Sequence, residues 1–154
     1  MTVQEYIANQ TVRMAESMVH FVESTPPDRL TLAPTVEGAA PTRTPLEWVG
    51  ECVTVNGLIA NVLRGEPVQS AEPKIENAAD ARRLLTESAA ELANAIRSLT
   101  DDDLEREFQH PRGRMLGQNV IMMPMRNMAY HSGQINLVQI LAGDPEFHVP
   151  PNWR

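Results

Sequence analysis

Cysteine is nearly absent from this chain: Cys52 is the only one among 154 residues. An internal disulfide is therefore impossible, and a zinc site built from several cysteines is excluded within one chain. Cys52 itself reads as a small buried hydrophobe. Aromatic residues are scarce at 5%, and no stretch alternates apolar and polar residues over a strand's length, so no sheet is expected. An excess of positive charge is also missing, since 13 Lys and Arg against 20 Asp and Glu leave a formal charge of −7. That balance repels a polyanion unless the few arginines gather on one face, and it argues against nucleic acid as a partner. No window approaches the ~18 apolar residues of a membrane span, and the residues after Met1 carry no basic region followed by an apolar run. A cytoplasmic, membrane-free protein is the expectation.

What is present is the composition of a folded domain, 42% hydrophobic and 21% charged. The length suits a single domain over 1–154, able to bury roughly two thirds of the surface its unfolded form exposes. The 12 prolines cut the chain into four long segments, with only Pro124 inside a run that otherwise reads as helical. The first segment starts at Thr2, which can cap a helix with Glu5 as its capping-box partner. It carries Val3, Ile7, Met14, Met18 and Phe21 on one face and stops before Pro26. The second has Thr44 as N-cap, Pro45 at the first helical position and Glu47 completing the box, and it runs to Gly65. The third spans about Asn77 to Leu99 with Ala78, Leu85, Ala89, Leu92 and Ile96 at helical spacings. A turn capped by Thr100 follows. The fourth covers about Gly117 to Ala142 and ends at Gly143 with Pro145 just beyond. Four such helices make an all-α four-helix bundle with a long loop, Thr25 to Arg43, between the first two. A loop of that length is often functional, and this one is expected to cover one end of the bundle.

Few polar residues fall on the apolar faces. On a helical wheel His131 shares the stripe of Ile121, Met128, Ile135 and Val138, which makes it either a core histidine bonded to a neighbouring helix or a metal ligand or general base. Asn127 lies one turn earlier on the shoulder of that stripe, in the i, i+4 relation of paired helical ligands. Gly133 costs ~1 kcal/mol relative to Ala inside a helix, so it suggests close approach of a backbone or a ligand, or simply tight packing. Asn56 faces the core of the second helix and is expected to hydrogen-bond across the bundle, with orientation of a ligand as its other possible role. Glu51 lies off the centre of the stripe of Val49, Cys52, Asn56 and Leu63, and by the wheel alone it is a solvated carboxylate. Pro124 either starts the last helix proper or kinks it. Met115, Met122, Met123, Met125 and Met128 form an apolar run too broad for one core stripe, which implies cover by the loop or by a second subunit, and hence a homodimer. His20 reads as solvated, and His110 and His148 read as surface histidines, either of which could instead reach the site from a loop.

The stretch Met128-Ala-Tyr-His131-Ser-Gly133-Gln134-Ile135, in a helix closing on Leu141-Ala-Gly143-Asp144, resembles the last-helix signature of the DinB-like superfamily. Thr44-Pro-Leu-Glu-Trp48-Val-Gly-Glu51 resembles that family's segment in which a threonine precedes a metal-binding histidine by seven residues. The resemblance implies a four-helix bundle in a family many of whose members are regarded as metalloenzymes. It places the ligand positions on Glu51, Asn127 and His131, with Asn56 and Gln134 in the ligand pocket. Glu51 stands where the family has histidine, and Asn127 where it has histidine or glutamate. The implied cofactor is a divalent metal (Mn, Ni or Zn), the oxygen-rich set favouring a hard ion, with a metal-free site as the equal alternative. Two functions follow. One is a metal-dependent enzyme on a small molecule, since related families include thiol-dependent transferases and isomerases for mycothiol or bacillithiol. The other is a bundle that has lost its metal and now binds a small ligand or serves in assembly.

Overall fold

The computed structural model describes every residue except Val36, Ala39, Pro41, Gln69, Ser70 and Arg154. Of the prolines read as punctuation, Pro41 lies outside the described residues. Helix α1 (Val3–Glu23) starts where expected: Thr2 Oγ1 accepts from the Glu5 N–H at 3.1 Å, and Glu5 accepts from the Thr2 N–H at 2.8 Å. Its polar partner pairs satisfy backbone groups that a helix end otherwise exposes. A single turn, α2 (Pro27–Leu30), sits inside the long loop and drops Leu30 into the core. Helix α3 (Pro45–Arg64) repeats the same box with Thr44 and Glu47, and Gly65 at φ 71° closes it. Helix α4 (Ala78–Arg97) is capped by Asn77, whose side chain accepts from the Asp80 N–H. The turn α5 (Asp101–Glu105) is capped by Thr100.

The fourth segment differs from its sequence reading. Glu107–His110 (β1) and Gly113–Leu116 (β2) form an antiparallel hairpin, with Phe108 opposite Met115 and His110 opposite Gly113. The expectation of no sheet is thereby corrected. Strands of four residues are too short for alternation to stand out, although β1 does bury every second residue, Phe108 and His110. The expected helix over 117–142 is in two pieces, α6 (Gly117–Val120) and α7 (Met123–Leu141). Pro124 lies in the first turn of α7 and so starts that helix rather than kinking it. Gly117 is required at the joint. A Cβ there would collide with the Asp103 carbonyl oxygen and come within 3.0 Å of the Phe108 ring, so α5, the hairpin and α6 close on one another only without a side chain.

Each of α1 and α3 packs on both α4 and α7, which closes the four long helices into a bundle. One end of the core is built from Met18, Phe21, Trp48, Val49, Leu85, Met128 and Ile135 among others, the other from Ile7, Ile59, Leu92, Ile96, Phe108 and Ile121. The hairpin and α6 belong to the second of these. Polar groups inside are mostly paired, as burial demands. Gln139 donates to the Phe21 carbonyl at 2.9 Å and to Thr25 Oγ1 at 3.1 Å, tying α7 to the end of α1. Among the described residues no helix is long and apolar enough to cross a membrane.

Candidate functional site

Glu51 and His131 meet. Glu51 projects from the second turn of α3 and His131 from the middle of α7, and Glu51 Oε1 lies 3.3 Å from His131 Nε2. The reading of Glu51 as a solvated carboxylate is therefore incomplete: its side chain is 35% exposed and its inner oxygen faces a buried imidazole. His131 is buried with Ile121, Met128, Ile135 and Val138, as its stripe requires. Trp48 stacks beside its ring and Tyr130 meets it edge-on. Gln134, one turn further along α7, fixes the tautomer. Its Oε1 lies 2.5 Å from His131 Nδ1 and can only accept, so Nδ1 carries the proton and Nε2 is the atom turned toward Glu51. That atom is buried without a hydrogen bond among the described residues despite its 3.3 Å approach.

The other carboxylate oxygen is taken. Arg43, the last residue of the long loop before the Thr44 cap, donates to Glu51 Oε2 at 2.7 Å and pairs with Glu72 through its second nitrogen. Glu72 reaches Arg43 because α3 has no side chain at Gly50, where a Cβ would come 3.0 Å from Glu72 Oε1 and 3.2 Å from the Pro73 carbonyl. Neither Arg43 nor Glu72 is evident from periodicity. The loop was expected to cover one end of the bundle, and its contribution at this place is a guanidinium.

Asn127 stands beside the pair. Its amide N–H contacts Cys52 Sγ at 3.5 Å. Cys52 is fully buried, and burial, followed by the neighbouring Glu51 carboxylate, pushes its thiol well above the ordinary range, so it holds no thiolate at neutral pH. Asn56 does not join the group. It is buried and donates to Ser88 Oγ on α4 at 3.1 Å, the cross-bundle bond expected of a structural polar residue, while its Oδ1 has no partner among the described residues. Nothing lies within 4 Å of a Cβ built at Gly133, which is exposed, so neither backbone approach nor tight packing within the chain accounts for that glycine.

A cavity of about 420 Å³ opens against this group, between α3, the hairpin turn and the start of α7. Glu51, Asn127 and His110 supply polar wall, Val55, Leu58 and Met123 apolar wall, and Arg112 and Arg126 also line it. His131 is behind Glu51 rather than in the wall. His110 corrects its surface assignment: the second inward position of β1 buries it to 4% exposure. Burial, with the Arg112 charge adding to it, lowers its pKa below the usual histidine range. His20 and His148 are half-buried rather than fully exposed, and His148 is 2.7 Å from Asp144. None of the five methionines of the apolar run except Met128 is fully buried, yet none is exposed; Met115, Met122 and Met123 pack on the core of their own chain.

As a metal centre the donor set is short. His131 Nε2 and Glu51 Oε1 are two strong donors that face each other, but a protein site for a catalytic metal normally offers three, and Asn127 adds only a neutral amide. A guanidinium already rests on the carboxylate. Among the described residues no group of three or more His, Cys, Asp or Glu is arranged to hold an ion. The residues present do not fit a dedicated metal site.

Two solved structures share the fold. A DinB-like protein from Bacillus subtilis superposes with a TM-score of 0.71 at 19% identity, over 94% of this chain and 98% of that one. A DinB-like protein from Bacillus cereus gives 0.68 at 16% identity, over 87% and 90%. No curated protein matches the sequence. The model of the DinB superfamily matches residues 10–135, which include α3, the hairpin and most of α7. With its four long helices and the paired segments at Thr44–Glu51 and Asn127–His131, the chain belongs to the DinB superfamily.

Proposed function

We propose that this chain is a metal-independent small-molecule-binding member of its superfamily, with the Arg43 guanidinium in the cation's place on Glu51. One observation carries the reading. The Glu51 carboxylate lies between Arg43 at 2.7 Å and His131 at 3.3 Å, so the positive charge that a bound ion would bring is provided by the chain. Charge on a half-buried carboxylate needs such a partner, and a guanidinium, always protonated and rich in donors, is well suited to it. Glu51 is then a fixed acceptor in the cavity wall, and Asn127 adds an amide that both donates and accepts. Val55, Leu58 and Met123 provide the apolar contact area that holds a small organic molecule in a cavity of this size. Arg43 holds Glu51 by its hydrogen bond, and His131 lies behind the carboxylate without bonding to it.

A metal-dependent enzyme of the thiol transferase or isomerase type is the second reading, and the unbonded His131 Nε2 facing Glu51 Oε1 favours it. Metal analysis of protein purified without chelator, then after supplementation with Mn, Ni or Zn, separates the two. The proposal expects no stoichiometric ion under any supplementation. An ion bound one to one and lost in His131→Ala would overturn it.

A further inference from the structure

We infer that the cavity beside Glu51 carries an anion subsite, formed by Arg112, Arg126 and His110, for the acidic head of a small organic ligand with an apolar body. The inference rests on the reading of that cavity as a small-molecule site and adds the ligand's class. In a chain with 20 acidic residues, seven arginines are paired with carboxylates within 4.0 Å: Arg29, Arg43, Arg64, Arg82, Arg83, Arg106 and Arg114. Arg13 and Arg97 lack a carboxylate too but bond to asparagine oxygens, whereas the Arg112 and Arg126 side chains have no partner of either kind among the described residues, and they line the same cavity, one from the hairpin turn and one from the first turn of α7. Two cations brought together by separate elements and left without a carboxylate create a local positive potential in a molecule whose net charge is −7.

His110 adds directed hydrogen bonding. Its Nδ1 accepts the Arg112 backbone N–H at 3.1 Å, which leaves the neutral ring with its proton on Nε2. The ring lining the cavity is therefore a donor without being charged. Two guanidinium groups and one imidazole N–H match a carboxylate or a phosphate, which only accept hydrogen bonds and which arginine binds in fork geometry. Glu51 lies in the same wall and would repel a second anion, but Arg43, shared with Glu72, offsets part of its charge. The apolar body is set by Val55, Leu58 and Met123.

Titration of the full-length protein with hexanoate, hexyl phosphate and hexanamide, followed by calorimetry, tests the subsite. Hexanoate or hexyl phosphate should bind at least tenfold more tightly than the isosteric amide, and the preference between the two identifies a carboxylate or a phosphate head. Arg112→Ala with Arg126→Ala should remove that difference, whereas Arg112→Lys with Arg126→Lys should keep most of it. Both arginines are exposed and without ion pairs among the described residues, so the melting temperature should not move. Equal affinity for acid and amide, absence of binding by every probe, or full binding by the double Ala variant would overturn the inference. Amide binding that depends on Glu51 with no gain for the acids would leave the metal-independent pocket standing and reject only the subsite. Acid binding that needs the arginines, in protein that also holds a stoichiometric metal, would do the reverse.

Discussion

Arg43→Gln is the substitution most informative about the site. It removes the guanidinium while keeping a shorter, neutral amide, and leaves Glu51 and His131 untouched. If Arg43 stands in for a cation, its removal should raise the affinity for a divalent ion. A charge of +2 and one of +1 about 5 Å apart repel by ~1.7 kcal/mol in a fully water-like dielectric. Screening at physiological salt reduces this to ~1 kcal/mol. Arg43 and Glu51 are each more than a third exposed, so the high-dielectric figure is the appropriate one. Released repulsion of that size corresponds to about a five- to fifteenfold gain in Mn or Zn affinity, measurable by titration against a competing chelator. Arg43→Lys keeps the charge and should show no gain. Losing two half-exposed pairs, to Glu51 and Glu72, should cost only ~1 kcal/mol of stability, a fall of ~3 °C in melting temperature. Two results would refute the reasoning: a wild-type protein that already binds an ion at micromolar concentration, or a Gln variant indistinguishable from wild type.

Gly117→Ala should be the costly glycine substitution, at ~3 kcal/mol by urea denaturation, because the added methyl meets the backbone carbonyl of Asp103, which has no rotamer to yield. An equally stable variant would show that the α5–hairpin–α6 joint relaxes freely. His110 predicts a pH dependence: its folded pKa is lowered, so the stability it contributes is present above the unfolded value of ~6.5 and lost as pH falls through the folded one. The melting temperature should therefore drop on going from pH 7.5 to pH 5.5, less so in His110→Gln; an identical drop in both would assign the effect elsewhere. Leu137, Ile140 and Leu141 leave the outer face of α7 exposed and apolar. If the homodimer expected from the sequence forms there, sedimentation should give a dimer for wild type and a monomer for Leu137→Glu; a monomeric wild type would end that expectation.

Legibility in the sequence followed physical locality. Helix starts were readable because a capping box is a contact between residues three apart, and Thr2, Thr44 and Thr100 each form one. The core stripe of α7 was readable because burial repeats every turn. The hairpin was not, since four-residue strands joined through Pro111 and Arg112 gain their stability from packing Phe108 on the second core cluster, a contact distant in sequence. For the same reason His110 looked like a surface residue: adjacency to proline says nothing about which side of a strand faces inward. The methionine run implied external cover, and the chain's own core supplies it for Met115, Met122 and Met123.

The site divides along the same line. Helical spacing pairs Asn127 with His131, only the family resemblance adds Glu51, and Glu51 and His131 do come within 3.3 Å. What decides their chemistry comes from outside the helices. Glu51 puts one negative charge beside an imidazole that is itself held, through Gln134, with its Nε2 facing that charge. Such a carboxylate must recruit a cation, and there are two ways to do it: bind one from solution, or draw one from the chain. Arg43 sits one residue before the cap that starts α3, eight residues from Glu51, close enough for the loop to deliver it at negligible entropic cost. A tethered cation outcompetes a free one unless further strong donors favour the free ion, and here the third position is an amide. Under this reading Arg43 and the weak third donor act together, and replacing Glu51 and Asn127 with histidine should create a metal site only if Arg43 is removed with them.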